Sequence, residues 1–286
     1  MSQFQLYAIT PTGPRALPVP DDATDFTDLY QGLALGVYSI VRTFDHNCFF
    51  QLGHHLARTV NSLRLLGWSY TLDEQRLRCA IHNLCTAFPS PEMRVRIDIL
   101  AKPATIFGVN SRELIAIMPF TLLPASCSQK GIAVGFAQGL QRNNPLIKTA
   151  DFAEERKQAG STEDYREYLL TSDTGEILEA TSANFYAVRD GVLYTAGEGV
   201  LEGVTRRVVL DLVAAQHIPL QLQAIHQSEI GMLDEAMISS SSRGVLPVVC
   251  IGDQVIGTGR PGLITQQLIA AYNAYVKAHL KTALEQ

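Results

Sequence analysis

Long apolar runs are missing from this 286-residue chain: no stretch approaches about 18 uninterrupted apolar residues, so no membrane-spanning helix is expected. A basic segment followed by an apolar run is also missing from the first fifteen residues, MSQFQLYAITPTGPR, and no secretion leader is expected. Positive charge is in short supply, with 23 Lys+Arg against 28 Asp+Glu and a net charge of −5. Such a mildly acidic surface offers no general attraction for nucleic acid or for an anionic membrane. An anionic ligand would have to be met locally, by a few arginines, lysines or backbone N–H groups. Cysteine is scarce: Cys48, Cys79, Cys85, Cys127 and Cys250 are scattered and form no Cys-x-x-Cys pair. That argues for reduced thiols in the cytoplasm and against a structural zinc site. Internal repeats and low-complexity tracts are absent too.

Apolar residues make up 47% of the chain, enough for a substantial core, and the length suggests about two domains. Residues 53–68 place Leu56, Val60 and Leu63 at helical spacing, and a second helix is predicted from the cap-like Asp73 through Leu77, Ile81 and Leu84. Residues 93–101 alternate: Met93, Val95, Ile97 and Ile99 form an apolar face, and Arg94, Arg96 and Asp98 a charged one. A further strand is read at 114–118. Residues 119–130, with Pro124, Ser126 and Ser128, supply the best linker candidate. Beyond it, strands are predicted at 132–137, 168–172, 184–188, 192–195 and 236–239, with a hairpin turn at Asp190-Gly191 and a late hairpin through Val255. Helices are expected from near Gly203, burying Val204, Val208, Leu212 and Val213, and from 262 to 280. The pattern suggests an α+β protein: a small α/β domain over 1–120, a linker over 121–131 and a larger β-rich domain over 132–286.

Several residues have the character that chemistry needs. Val204 and Thr205 follow Gly203 at a helix start, where unpaired N–H groups and the helix dipole suit a phosphate; an ordinary helix start reads the same way. The run Ser239 to Ser242, ahead of Arg243-Gly244, is a second possible anion nest or a polar surface loop. Lys148 closes the turn-like stretch Arg142-Asn143-Asn144-Pro145 beside Leu146-Ile147. A lysine in a partly apolar setting becomes an amine nucleophile for carbonyl chemistry, although most such lysines are surface residues. Glu179, among small residues just before a strand, faces either a pocket or water. His54 and His55 diverge by about 100° on a helix and cannot readily share a metal, so all seven histidines are read as structural or surface residues. Arg58 lies off the Leu56/Val60/Leu63 face, which by itself makes it a solvated arginine. Gly197-x-Gly199 is no dinucleotide fingerprint, because its third glycine falls one residue late.

In order, these blocks resemble the class IV aminotransferases, the fold-type IV enzymes that use pyridoxal 5′-phosphate. The matching blocks are Arg142…Lys148, then Glu179-Ala180-Thr181-Ser182-Ala183-Asn184-Phe185, then Gly203-Val204-Thr205-Arg206, then Ser239-Ser240-Ser241-Ser242…Pro247-Val248. The resemblance implies that Lys148 forms the internal aldimine and shuttles the substrate proton. It implies that Glu179 partners the pyridine nitrogen, and that Val204, Thr205, Ser240 and Ser241 cradle the phosphate. Arg58, in Leu52-Gly53-His54-His55-Leu56-Ala57-Arg58, resembles the family's phosphate-binding arginine, and Tyr38 matches a pocket tyrosine of the D-amino acid enzymes. The substrate side would include Ser242, with Arg96 or Arg243 for its carboxylate. Expected partners are an amino acid, a 2-oxo acid and a second copy of the chain. The implied reaction is transamination; the alternative is an aminodeoxychorismate lyase releasing pyruvate.

Three departures stand out. The tyrosine that branched-chain enzymes carry five residues after the lysine is Ala153, the glutamate after the pocket tyrosine is Ser39, and the usual Ala-Glu or Ser-Glu after the phosphate loop is Arg243-Gly244. The resemblance therefore implies a cofactor machinery that is kept and a substrate pocket that diverges.

Overall fold

The computed structural model describes residues 4–142, 144–158 and 165–286; Asn143, part of the turn-like stretch ahead of Lys148, lies outside them. Two compact units emerge. One holds Met1–Thr121, Ile147–Glu154 and His279–Gln286, the other Leu122–Leu146 and Glu155–Ala278.

The first unit is built on a seven-stranded antiparallel sheet in the order Leu280–Thr282, Cys48–Phe50, Val37–Phe44, Met93–Ile99, Glu113–Pro119, Gln5–Thr10, Gly13–Leu17. The helices Leu52–Leu65 and Glu74–Ala87 bury Leu52, Leu56, Leu77 and Ile81 against Met93, Val95, Ile97 and Ile117. The second helix starts at the expected cap, where the Asp73 carboxylate accepts from Arg76 N at 3.0 Å. The first helix buries a face other than the expected one. Leu52, His55, Leu56, Thr59, Ser62 and Leu63 face inward, and Val60, turned roughly 100° from the centre of that face, is 45% exposed. His54 is exposed and His55 buried.

The expected outer charged face of the Met93–Ile99 strand is also corrected. Arg96 and Asp98 are each 2% exposed, because the short helix Phe26–Tyr30 and the neighbouring strand's Tyr38 cover that side. Two charges can be buried this way only because they neutralise each other.

The second unit is a ten-stranded mixed sheet whose central path runs Ala183–Arg189, Glu235–Ser240, Gly244–Ile251, Ile132–Phe136, Tyr168–Thr171, Glu176–Ala180. Glu176–Ala180 pairs back onto Ala183–Arg189 through Ala183↔Ala180 and Asn184↔Glu179, so these strands form a closed circuit. Val134, Leu169, Ile177, Phe185, Ile238, Leu246 and Val248 fill it. The expected hairpin turn is present: Asp190 and Gly191 both have positive φ, 51° and 75°, as a two-residue type I′ turn requires. The Val204–Ala215 helix buries Val204, Val208 and Val213, and leaves Leu212 half-buried. Within the segment read as a linker, residues Ala125–Lys130 form a short helix with Cys127 buried. The expected strand at 236–239 extends through Ser240, so only residues 241–243 make the turn.

Gly36 tests how tightly the first unit is drawn together. A Cβ there would fall 2.2 Å from the Ile99 carbonyl oxygen and 2.7 Å from the Trp68 ring. Gly36→Ala is expected to destabilise the protein by about 1–3 kcal/mol, read as a lower denaturation midpoint. A midpoint equal to wild type would show that the backbone yields here.

Candidate active site

Lys148 owes its position to the backbone. Tyr38 N donates to Lys148 O at 3.0 Å, Ala150 N donates to Gly36 O at 2.9 Å, and Val37 and Thr149 form an antiparallel bridge. Residues 148–150 therefore run along the start of the Val37–Phe44 strand, anchored by the buried Ile147 against Val37, Leu63 and Ile99. Half-buried Lys148 places Nζ 4.9 Å from the centroid of the Tyr38 ring. The Arg96 guanidinium stands 4.3 Å from the same centroid, so one aromatic ring is shared by two cations. Tyr38 is buried and also packs on Ala150 and Ala153. Ala153, where branched-chain enzymes carry a tyrosine, is thus part of the apolar wall around this ring.

Arg96 is held firmly. Its Nε donates to both Asp98 carboxylate oxygens at 3.0 Å and its Nη2 to Asp98 Oδ1 at 2.8 Å. Asp98 Oδ2 also accepts from the Tyr30 hydroxyl at 2.8 Å, and the Tyr30 ring centroid lies 4.3 Å from the guanidinium. Burial works against the charge on Arg96, but Asp98, together with Tyr30 and Tyr38, outweighs it and drives the guanidinium further toward its protonated form. Burial, reinforced by the Asp98 charge, pushes the Tyr30 phenol well above its ordinary range. Arg58, half-buried, donates from Nη2 to Ser39 Oγ at 3.0 Å. Ser39, which replaces the family's glutamate, also takes the Thr59 hydroxyl at 3.3 Å.

In the second unit the centre is Glu179, 2% exposed. Its Oε1 accepts from Arg142 Nε at 2.7 Å, and its Oε2 from Leu201 N at 3.2 Å and Asn184 Nδ2 at 3.3 Å. Asn184 also donates to Leu201 O at 2.9 Å, joining the carboxylate to the loop that enters the Val204–Ala215 helix. The N-cap of that helix is Gly203, which brings no side-chain oxygen to its first N–H groups. A Cβ on Gly203 would fall 2.3 Å from Asn184 Oδ1, so glycine is what lets the helix start approach so closely. Val204 and Thr205 are both buried at the first turn.

The serine turn is tied to the same region by a second carboxylate. Buried Glu167 accepts from Arg243 Nη2 at 2.8 Å and from the hydroxyls of Thr181 and Ser182, the two turn residues between Ala180 and Ala183. Arg243 also donates from Nε to Ser240 Oγ at 3.0 Å and from Nη2 to Ser182 Oγ at 2.7 Å. Burial favours the neutral form of Glu167, but the Arg243 guanidinium and the two hydroxyls prevail and hold its carboxyl below the usual range. Ser241 and Ser242 are half-buried in the turn that follows Ser240.

Two groups of sequence-designated residues are therefore brought together. Lys148, Tyr38 and Arg96 cluster in the first unit, whereas Arg58 bonds Ser39, which points to the other face of the same strand from Tyr38. Glu179 with the Val204–Thr205 helix start, and Ser240 with Arg243, are networked in the second. Sequence reasoning missed Asp98, Tyr30, Asn184 and Glu167, and saw Arg142 only as the start of a block. Asp98 had a signal, since it stands two residues from Arg96 on one strand and so shares its face. Glu167 had none, because its partners are distant in sequence. Among the described residues no group of His, Cys, Asp or Glu is arranged to hold a metal ion.

Comparison with known proteins bears on the family and the fold. Residues 36–251 match the family model described as amino-transferase class IV. The D-alanine aminotransferase of Bacillus licheniformis is 25% identical over 269 residues, covering 91% of this chain and 94% of that protein. In structure, the branched-chain aminotransferase of Thermoproteus uzoniensis with norvaline superposes with a TM-score of 0.74 at 21% identity, covering 98% of this chain and 99% of the other. The branched-chain amino acid aminotransferase of T.th., solved with pyridoxamine 5′-phosphate, gives a TM-score of 0.79 at 19% identity, with 98% of both chains covered. At these identities the structural likeness establishes a fold-type IV architecture.

The Glu167 network is open to an acid test. A carboxyl held below the ordinary value of 4.5 contributes stability that is complete above that pH and is lost as pH falls through the lower folded-state value. Glu167→Gln is therefore expected to melt lower than wild type at neutral pH, with the difference shrinking below about pH 4.5. A gap in melting temperature that stays constant into acid would show that the charge of Glu167 contributes nothing.

Proposed function

The chain belongs to the class IV aminotransferase family, and from that premise we propose that it exchanges an amino group between an amino acid and a 2-oxo acid using pyridoxal 5′-phosphate. The residues present fit such a group. Gly203 brings no side-chain cap to the first N–H groups of its helix, a start suited to a phosphate, and Glu179 offers a buried carboxylate of the kind that pairs with a protonated pyridine nitrogen. The Glu179 network carries the reading: three donors fix the carboxylate, and one of its partners, Asn184, also fixes the loop entering the phosphate-type helix start.

When bound, the cofactor supplies an electron sink for the substrate Cα. The residues proposed to hold it are Lys148 and Arg58, together with Glu179, Val204, Thr205, Ser240 and Ser241. Lys148 Nζ is the atom assigned to take the proton from the substrate Cα, and it would deliver that proton to the cofactor C4′. Tyr38 bounds the substrate side. Arg96 is the better placed of the two arginines considered for the substrate carboxylate, since it shares the Tyr38 ring with Lys148. Arg243 is committed to Glu167, Ser182 and Ser240, and with Ser242 it is assigned to shaping the serine turn. None of the relatives named above is a lyase. A homodimer in the cytoplasm completes the proposal, in keeping with the family, the mildly acidic charge and the scattered thiols. No helix among the described residues is long and apolar enough to cross a membrane.

The lysine assignment has a direct chemical test. Protein incubated with pyridoxal 5′-phosphate, reduced with borohydride and digested should carry the cofactor mass on the peptide containing Lys148, and Lys148→Ala should fold but retain none covalently after reduction. Label on another lysine would overturn the assignment. A screen of both enantiomers of small amino acids should find at least one that bleaches the visible absorbance of the loaded protein. If none of either hand does, transamination is the wrong reaction.

A further inference from the structure

The side chains of Arg96 and Asp98 form a buried pair on one face of one strand. Asp98 occupies the Nε/Nη2 edge of the guanidinium with both of its oxygens, and Nη1 is the nitrogen to which it makes no bond. The plane is fixed as well, because the Tyr30 and Tyr38 rings both stand 4.3 Å from the guanidinium carbon. The Asp98 carboxylate is itself shared, since Tyr30 donates its hydroxyl to Oδ2 at 2.8 Å. A cation clamped by one edge between two rings can offer a ligand only its remaining edge, and with part of its charge already neutralised.

We propose that Asp98 is a positioning and specificity-determining residue: it turns the Nη1 edge of Arg96 toward the substrate carboxylate and limits how tightly that carboxylate is held. This rests on the reading that Arg96 binds the carboxylate. A fully charged, unclamped arginine next to Lys148 would bind any small carboxylate strongly, including the product acid. The clamp trades affinity for a single orientation, which suits an enzyme that must bind and release two different acids in each cycle.

The division of the Asp98 carboxylate between Arg96 and Tyr30 gives two substitutions with opposite expected signs. Asp98→Asn removes the neutralising charge, so the loaded enzyme should bind propionate more tightly, roughly fivefold or more in Kd by calorimetry, while kcat falls because the orientation is lost. Tyr30→Phe keeps the ring but returns the whole carboxylate to Arg96, so propionate should bind about two- to threefold more weakly. Arg96→Lys provides the reference and should weaken propionate tenfold or more. If Arg96→Lys leaves Kd unchanged, the reading of Arg96 fails and the role of Asp98 goes with it. If Arg96→Lys weakens binding but the other two variants leave Kd alone or move it in the same direction, the role of Asp98 alone is overturned. Should Asp98→Asn not fold, Tyr30→Phe still decides, because weaker propionate binding supports the clamp and unchanged or tighter binding overturns it.

Discussion

Strand register is the constraint on which the second unit depends. Asn184 is paired with Glu179 on one side and with Ser239 on the other, so three neighbouring strands place a carboxylate, an amide and the head of the serine run in one row. Because successive side chains point to opposite faces, a slip of one residue would turn Glu179 from its present face to the other and part it from Arg142, Asn184 and the Leu201 N–H. The hydrogen bonds of this row are individually modest. Their geometry makes them consequential, since a single amide reports the position of the carboxylate to the start of a helix.

The first unit solves the same problem by other means. The chain returns to it for a few residues, pairs briefly along the Val37–Phe44 strand, and in doing so sets Lys148 beside Tyr38. Three arginine–carboxylate pairs then recur across the two units: Arg96 with Asp98, Arg142 with Glu179, and Arg243 with Glu167. Each is largely removed from water, where a lone charge is very costly and a pair with additional hydrogen bonds is tolerated. Buried ions of this kind add little net stability. They fix the orientation of the groups they join.

Much of this was readable from sequence wherever local rules decide. Asp73 caps its helix because an aspartate oxygen can reach the N–H three residues on, and Asp190-Gly191 turns because both residues tolerate positive φ. The helix start at Val204 stands where the sequence placed it. Patterning failed where tertiary cover decides: Arg96 and Asp98 alternate as a solvated face should, yet the Phe26–Tyr30 helix lies over them. Val60 has the right spacing and the wrong azimuth, since the buried stripe of its helix runs through His55, Thr59 and Ser62, polar residues that a hydrophobic pattern overlooks. Glu167 was invisible because its contacts with Arg243 and Ser182 join segments far apart along the chain.

The closed strand circuit of the second unit bears on how such a protein can diversify. In an open sheet, an outer strand can be lengthened, lost or shifted while the others stay put. Here every strand of the circuit is held on two sides, so a residue gained or lost inside one of them has either to be absorbed by a local register shift, as at Val248/Cys250 and Leu170/Thr171, or to move the Glu179–Asn184 pairing. Variation is thereby channelled into the connections, such as the Asp190-Gly191 hairpin and the turn after Ser240, and new preferences can arise there while the ring keeps its inherited frame.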